Sequence, residues 1–576
     1  MDSVAIILWV LLCLNSCFCK GNPEPGCIGS ERQALLKIKK DLKDSSNMLL
    51  ADWRPGNKDC CKWKGVSCDN ATGHVTELHL GFSNGRLKLG GQLSPALLDL
   101  KSLSVLDLSN NVFDQTQIPR WFWNLTSHLQ YLNISGNHFQ GNIPDLLTNH
   151  AALVLDLSSN NFTGSLPAIS LNMTALDLSN NALSGSMLRF LCRKKHRMKL
   201  EVLSLGGNHL SGEIPDCWEK WGRLVAIELC DNNLSGKIPP SVEALTSLQS
   251  LHLSNNSLHG EIPESMSNCT ELLTLDFSAN QFSGEIPPWI GERLSNLIII
   301  GLRSNMFHGR IPDQICGLPS LQILDLSHNN LSGNIPTCIK NLTAMNSRNK
   351  SNGTISYKTS KGCFVDNIAL TMKGVVFDYS TTLKLIKLVD LSDNNLSGVI
   401  PEEITTLIGL LSLNLSRNHL VGKIPGNIGA MNTLECVDLS ENRLSGEIPE
   451  SMSQLTFLSY LNLSYNNLTG KIPSGTQLQT FSSSSFLGNK LYGPPLTNSS
   501  RDSKAVVPTG NSVGEDVDNG NKVNWFFICM ECGFWFGFLC VACPLILTQK
   551  WDSYIFSTLK SLQNKFLTFL NKCKIL

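Results

Sequence analysis

Apolar residues return along most of this chain in one frame, L-x-x-L-x-L-x-x-N, at a spacing of about 24 residues. Leu224-Val-Ala-Ile-Glu-Leu-Cys-Asp-Asn232, Leu248-Gln-Ser-Leu-His-Leu-Ser-Asn-Asn256 and Leu272-Leu-Thr-Leu-Asp-Phe-Ser-Ala-Asn280 are consecutive instances. The apolar positions alternate, so each frame predicts a short strand with one buried face, and its closing asparagine can satisfy backbone groups at the following bend. Asn111, Asn137, Asn160, Asn181, Asn208, Asn232, Asn256, Asn280, Asn305, Asn329, Asn394, Asn418, Asn442 and Asn466 mark fourteen regular coils, after an irregular one near residues 78–80. Coils stacked in parallel at about 4.8 Å predict a solenoid of about 70 Å, an object suited to binding along its surface.

A second signature, L-x-G-x-I-P, follows the asparagine, as in Leu396-Ser-Gly398-Val-Ile400-Pro401 and Leu444-Ser-Gly446-Glu-Ile448-Pro449. Glycine permits a bend with positive φ and proline fixes the turn onto the convex side. These are leucine-rich repeats, and the Gly-x-Ile-Pro half makes them resemble the plant-specific extracellular class. The fold expected is an α/β solenoid: a curved right-handed leucine-rich repeat superhelix with a parallel concave β-sheet, an N-terminal disulfide cap and one transmembrane helix.

The ends set the compartment. Residues 4–14 are apolar and small residues follow around Cys17 and Cys19, which reads as a signal peptide over 1–19. A second apolar run, 525–547, is long enough to span a bilayer, with Glu531 and Pro544 inside it. Acidic Glu515, Asp516 and Asp518 precede it; Lys550, Lys560, Lys565, Lys572 and Lys574 follow. The positive-inside rule then puts the N-terminus outside, in a single-pass type I protein of the plasma membrane. Seventeen N-x-S/T sequons suit that orientation: Asn70, Asn124, Asn133, Asn161, Asn172, Asn233, Asn255, Asn268, Asn330, Asn341, Asn349, Asn352, Asn395, Asn414, Asn462, Asn467 and Asn498. The repeat consensus itself spells N-L-S, so a fraction of these go unused. With 47 basic and 47 acidic residues there is no electrostatic footprint for nucleic acid.

Ahead of the repeats, Ser30-Glu-Arg-Gln33 has capping-box spacing, and Leu35, Leu36, Ile38 and Leu42 give a helical apolar stripe. Trp53 and Cys60-Cys61-Lys-Trp63-Lys-Gly65-Val-Ser-Cys68 complete a segment, 20–73, that resembles the N-terminal cap of plant leucine-rich repeat proteins. The resemblance implies the pairs Cys27 with Cys60 and Cys61 with Cys68. Two further bridges follow from register. Cys192 lies eleven residues after Asn181 and Cys217 nine after Asn208, and the same offsets recur for Cys316 after Asn305 and Cys338 after Asn329. Such offsets on adjacent coils put each pair within disulfide reach. Cys230, Cys269, Cys363 and Cys436 lack such partners and read mostly as buried thiols.

Repeats fill 74–344, after which the ladder jumps 65 residues from Asn329 to Asn394. The insert, 345–385, carries Arg348, Lys350, Lys358, Lys361 and Lys373 with aromatic patches at Tyr357, Phe364 and Phe377-Asp-Tyr379. It resembles the island domain that precedes the last four coils of plant receptor-like proteins, including Lys373-Gly374 followed by Asp378-Tyr379. Four coils do follow, over 386–481. The family's paired-cysteine cap is altered here to Leu491-Tyr-Gly-Pro-Pro495, within a cap and acidic stalk assigned to 482–524.

Motifs that invite chemistry fail in context. Cys529-x-x-Cys532 and Cys540-x-x-Cys543 have zinc-ligand spacing but lie in the apolar span. Gly510-Asn-Ser512-Val-Gly514 fits a nucleophile elbow with no strand before it. No phosphate-binding loop or kinase signature appears, and the tail, 548–576, is too short for a catalytic domain; it carries Ile555, Leu559, Leu562, Phe566 and Phe569 on one helical face, as suits a helix on the inner leaflet. We expect no enzyme, no cofactor and no metal. Gly533-Phe-Trp-Phe-Gly537 lets a second transmembrane helix approach closely, and the resemblance implies an adaptor receptor-like kinase there.

On the open sheet face, Glu228, His252, Asp276 and Arg303 are more varied than the Ser and Asn of their neighbours, which marks them as candidates for contacting an extracellular protein, peptide or glycan ligand. Asn133, Asn414 and Asn462 occupy comparable positions near the two ends, so glycans there would leave the middle coils open. Lys373, Gly374, Asp378 and Tyr379 of the island, with the last four coils, are the co-receptor kinase site the resemblance implies. Gly-Glu-Ile-Pro-Pro-Trp289-Ile and Ile299-Ile-Gly-Leu-Arg303-Ser-Asn305 are similar to the ethylene-inducing xylanase receptor type. That likeness implies a defence receptor for a microbial or damage-derived molecule. A developmental receptor subunit for a secreted peptide, or a hydrolase-inhibiting or decoy repeat protein, would share much of the layout.

Overall fold

A computed structural model describes residues 26–496 except 82–86, 115, 147–153, 193–195, 348–353, 361 and 476. The signal peptide, stalk, apolar span and tail, with Gly533, Gly537, Asn349, Asn352 and Asn498, lie outside the described residues. Among the described residues, no helix is long and apolar enough to cross a membrane.

The alternating frame folds as expected. Sixteen short strands form one sheet from Val66–Cys68 to Tyr460–Asn462; the first pair is antiparallel and every later pair parallel. Register is strict: Leu203, Ile227, Leu251, Leu275, Ile300 and Leu324 lie side by side, and Val389, Leu413, Val437 and Leu461 continue the row beyond the insert. These residues point into a continuous apolar core that runs from Ala34 to Phe486.

Each ladder asparagine ties two coils. Asn280 donates from Nδ2 to the carbonyls of Leu253, Phe277 and Ser278, while its Oδ1 accepts the Leu258 amide at 3.0 Å. The residue before each rung takes a left-handed conformation whether or not it is glycine: φ is +52° at Ala279, +52° at Arg417 and +54° at Tyr465. The ladder extends one rung further than the fourteen frames. Asn489 accepts from the Leu468 amide and donates to the carbonyls of Leu463 and Phe486, closing the stack where the paired cysteines are missing.

A second ladder of strands was not evident in the frame. The L-x-G-x stretches pair in parallel into a ten-stranded sheet from Gln140–Asn142 to Asn395–Leu396, and a four-stranded one follows from Val421–Gly422 to Lys490–Tyr492. Glycine is needed for space as well as conformation. A Cβ on Gly284, at φ +88°, would stand 2.7 Å from Cγ of Glu261 on the preceding coil; on Gly398 it would meet Asn334 Oδ1 at 2.4 Å. From Gly236 onward the side chain after each coil's glycine thus lies across the glycine of the next coil. These stems edge a lateral groove of about 1740 Å³ lined by Glu213, Lys237, Glu261, Glu285, His259 and Trp289.

The cap helix spans Gly29–Asp41, and its N-cap is Ile28, with no side-chain cap. The capping box read at Ser30 is therefore corrected: Ser30 lies within the first turn, and Glu31 turns inward to accept from the Val75 amide at 2.7 Å and to contact His74 Nδ1 at 2.8 Å. A sheet edge gains more from that carboxylate than a helix end does, because the Val75 donor is buried. Trp53 and Trp63 stack at 5.6 Å beneath the helix. All four cysteine pairs are bridged: Cys27–Cys60, Cys61–Cys68, Cys192–Cys217 and Cys316–Cys338. Of the free thiols, Cys269 and Cys436 are buried, Cys230 is half-buried and Cys363 is exposed, and burial pushes the Cys269 thiol up to about 12.

Candidate functional site

The insert folds as two hairpins, Ser356–Thr359 with Gly362–Val365 and Ile368–Met372 with Val375–Tyr379. In the second, Lys373 and Gly374 form a two-residue turn with φ of +55° and +75°, the conformation that matches hairpin twist. Both hairpins seat on the open face of the long sheet. A second apolar cluster joins Ile355, Tyr357, Ile368, Leu370 and Met372 of the island to Val225, Ile299, Ile323 and Leu388 of the sheet.

At the centre of this contact lies a polar lock. Asp366, between the hairpins, is fully buried and stands 2.8 Å from His252 Nε2 through Oδ1. Its Oδ2 accepts from Thr274 Oγ1 at 2.6 Å and from the Tyr357 hydroxyl. On the other side, His252 Nδ1 lies 3.6 Å from Asp276 Oδ2. Burial alone would push the imidazole down, but the carboxylates of Asp366 and Asp276 more than reverse this and hold it well above its ordinary value. For Asp276 and Asp366 burial pushes up, and the charge and hydrogen bonds of His252 bring both below the usual carboxylate range. Next along the row, burial and then mutual repulsion raise Asp325 beside Asp390, with Arg303 close by.

The island is held at its rims as well. Arg303 donates to Thr371 Oγ1, Lys373 Nζ pairs with Glu435 Oε2 at 3.0 Å, and the Ser360 amide donates to Glu201 Oε2 at 2.6 Å.

This geometry corrects the picture of an open middle. His252 and Asp276, expected to face solvent, are only 3% and 4% exposed beneath the island, and Arg303 is engaged by it. Glu228 stays half-buried at the margin and accepts from Ser204 Oγ at its Oε2. Sequence reasoning passed over Asp366, Tyr357 and Thr274. A signal existed: Ile298, Ile299, Ile323 and Leu388 put apolar side chains at frame positions that face away from the core, which only a covered sheet accommodates. Beyond the island, Asp107, Asn133, Asp156 and Asp177 remain half-buried on the open face in register, with Tyr131 beside them. Burial, then repulsion from Asp156, pushes Asp177 up to about 7. Among the described residues the one grouping with metal-ligand proximity is Cys27, Cys60 and Cys61, all of them in disulfides.

Of the sequons on the described residues, Asn70, Asn124, Asn161, Asn233, Asn255, Asn268, Asn330, Asn341, Asn395 and Asn467 are exposed. Asn133, Asn414 and Asn462 instead stand in the open-face row, each with Oδ1 accepting from a serine two residues on.

Repeat sequence and coil geometry together define a leucine-rich repeat protein. The leucine rich repeat N-terminal domain matches residues 28–69, and the leucine rich repeat matches ten segments between 102 and 478. Within that class the chain is related to plant receptor-like proteins. It is 39% identical over 210 residues to receptor-like protein EIX1 of Solanum lycopersicum and 40% identical over 149 residues to EIX2 of the same plant. Those alignments cover 34% and 24% of this chain but only 18% and 14% of the relatives, so the chain matches less than a fifth of their length. Among solved structures, the ectodomain of the Arabidopsis receptor kinase HAESA, in complex with an N-terminally extended IDA peptide hormone, matches at 25% identity and a TM-score of 0.47, covering 81% of this chain and 98% of that one.

Proposed function

We propose that this chain is a plasma-membrane receptor-like protein of plant defence that binds a microbial or damage-derived ligand on its repeats and signals through partner receptor kinases. What supports the reading is one combination: plant-type coils in a chain whose relatives are plant receptor-like proteins. With the middle of the sheet occupied by the island, the ligand surface is the open row from Asp107 to Asp177, flanked by Tyr131, with Glu228 at the island's margin. His252, Asp276 and Arg303 serve that surface indirectly, by seating the island at its edge. Lys373, Gly374, Asp378 and Tyr379, on the second hairpin, are assigned to the co-receptor kinase together with the last four coils. Gly533 and Gly537 are assigned to an adaptor kinase in the membrane.

The test is co-immunoprecipitation of the full-length chain from plant membranes with adaptor and co-receptor kinases, beside the Gly533→Leu/Gly537→Leu double variant. Kinase capture by the native chain and its loss in the variant is the expected result. Absence of any kinase from both samples refutes the signalling role.

A further inference from the structure

The lock beneath the island places an imidazole between two carboxylates in a site closed to water. Facing His252 are Glu228 and Asp276 from the flanking strands in register, and Asp366 from the island, to which the Tyr357 hydroxyl also donates; Arg303, one coil beyond Asp276, is engaged with Thr371. Protonated His252 supplies the one cation between these two carboxylates, and a neutral ring leaves Asp276 and Asp366 buried with no cation between them.

We propose that the island is a proton-latched strap, seated on the sheet by protonated His252 and released as that proton is lost. The inference rests on the docking geometry and holds whether or not the receptor reading does. An imidazole held above its free value stabilises the docked state fully below about pH 6.5, and that stability is lost as pH rises through the docked value. Asp325 beside Asp390 acts in the same sense, since a carboxyl held above its ordinary value also binds its proton more tightly in the folded chain. Asp276 and Asp366 oppose these only below about pH 4, where they become protonated. Seating is therefore tightest in mild acid. Because the strap borders the open row from Asp107 to Asp177, its release changes the edge that a ligand meets.

Hydrogen exchange of the full-length chain, read by mass spectrometry and normalised to intrinsic rates between pH 5.5 and 9, tests this. Peptides covering 354–379 should lose protection about tenfold or more, the effect of one pH unit of linkage, while peptides around Asn111 hold theirs. In Asp366→Asn the strap keeps its Tyr357 and Thr274 partners but no longer needs the proton, so the alkaline loss should shrink. In His252→Gln the island should be unprotected already at pH 6.5. Should the histidine variant fail to fold, the native chain and Asp366→Asn decide the matter. Island protection that does not change with pH in the native chain, or an unaltered pH profile in Asp366→Asn, overturns the proposal.

Discussion

The ladder asparagines allow a prediction that turns on one hydrogen bond. Asn418 is 4% exposed; its Nδ2 donates to the carbonyls of Leu391, Leu415 and Ser416, and its Oδ1 accepts the Leu396 amide at 3.0 Å. Asn137 is equally buried and makes the matching three donations, to Leu108, Ile134 and Ser135, but its Oδ1 has no partner. In both alanine variants the carbonyl of the preceding coil keeps a donor, Asn111 Nδ2 at Leu108 and Asn394 Nδ2 at Leu391, whereas Asn418→Ala alone orphans a buried N–H, that of Leu396. A buried unsatisfied group costs about 1–3 kcal/mol. Asn418→Ala should therefore cost about 1–3 kcal/mol more than Asn137→Ala, which also removes an oxygen already buried without a partner. Urea unfolding of the two variants and the native chain measures the difference, and hydrogen exchange localises it to the Leu396 amide. Equal losses, or unchanged protection at Leu396, would refute the view that the side-chain oxygen supports the rung.

Four other outcomes follow from the coil geometry. Gly429→Ala should destabilise by at least ~3 kcal/mol, because its Cβ would lie 2.0 Å from the Ser451 carbonyl oxygen, whereas Gly141→Ala, with nothing within 4 Å, should cost only its left-handed strain of about 1–2 kcal/mol; thermal melts compare them. Ala279→Gly, at an exposed position with φ +52°, should raise stability by about 0.5–1 kcal/mol in the same melts. Glycopeptide mapping should find Asn414 and Asn462 unoccupied and Asn233, Asn330 and Asn467 occupied, since the first two spend Nδ2 on Asp390 and Asp438 inside the row while the others are exposed. Raised to about 7 by burial and Asp156, Asp177 binds its proton more tightly when folded, so Tm should fall as pH climbs from about 4 to 7, and Asp177→Asn should flatten that slope.

What the sequence made legible was whatever repeats. Fourteen rungs, the two convex-side bridges and the four coils after the insert all follow from a frame whose every copy restates the same contacts. Three features escaped it. The second sheet was hidden because a strand such as Asn233–Gly236 buries alternate residues of which only Leu234 is an apolar side chain, the other being glycine, so four residues carry no hydrophobic alternation. Left-handed residues before the rungs carry no mark, since alanine, arginine and tyrosine occupy the same conformation when the rung beside them fixes the bend. The docking of the island depends on contacts between residues more than a hundred positions apart, His252 and Asp366 among them, which a local pattern does not encode. The polar variety at His252, Asp276 and Arg303, which marks them as ligand candidates in the sequence, serves contacts with this chain's own insert.

In a stack of coils each layer feels only its neighbours, and a defect fades within a layer or two. The island changes that arithmetic. It grips Glu201 just before Val202–Ser204 and Glu435 just before Cys436–Asp438, the first and last of nine consecutive strands. It acts as a crossbeam: fraying at either grip must be paid across the whole bay, so these nine layers melt as one cooperative block while the layers outside it unzip singly.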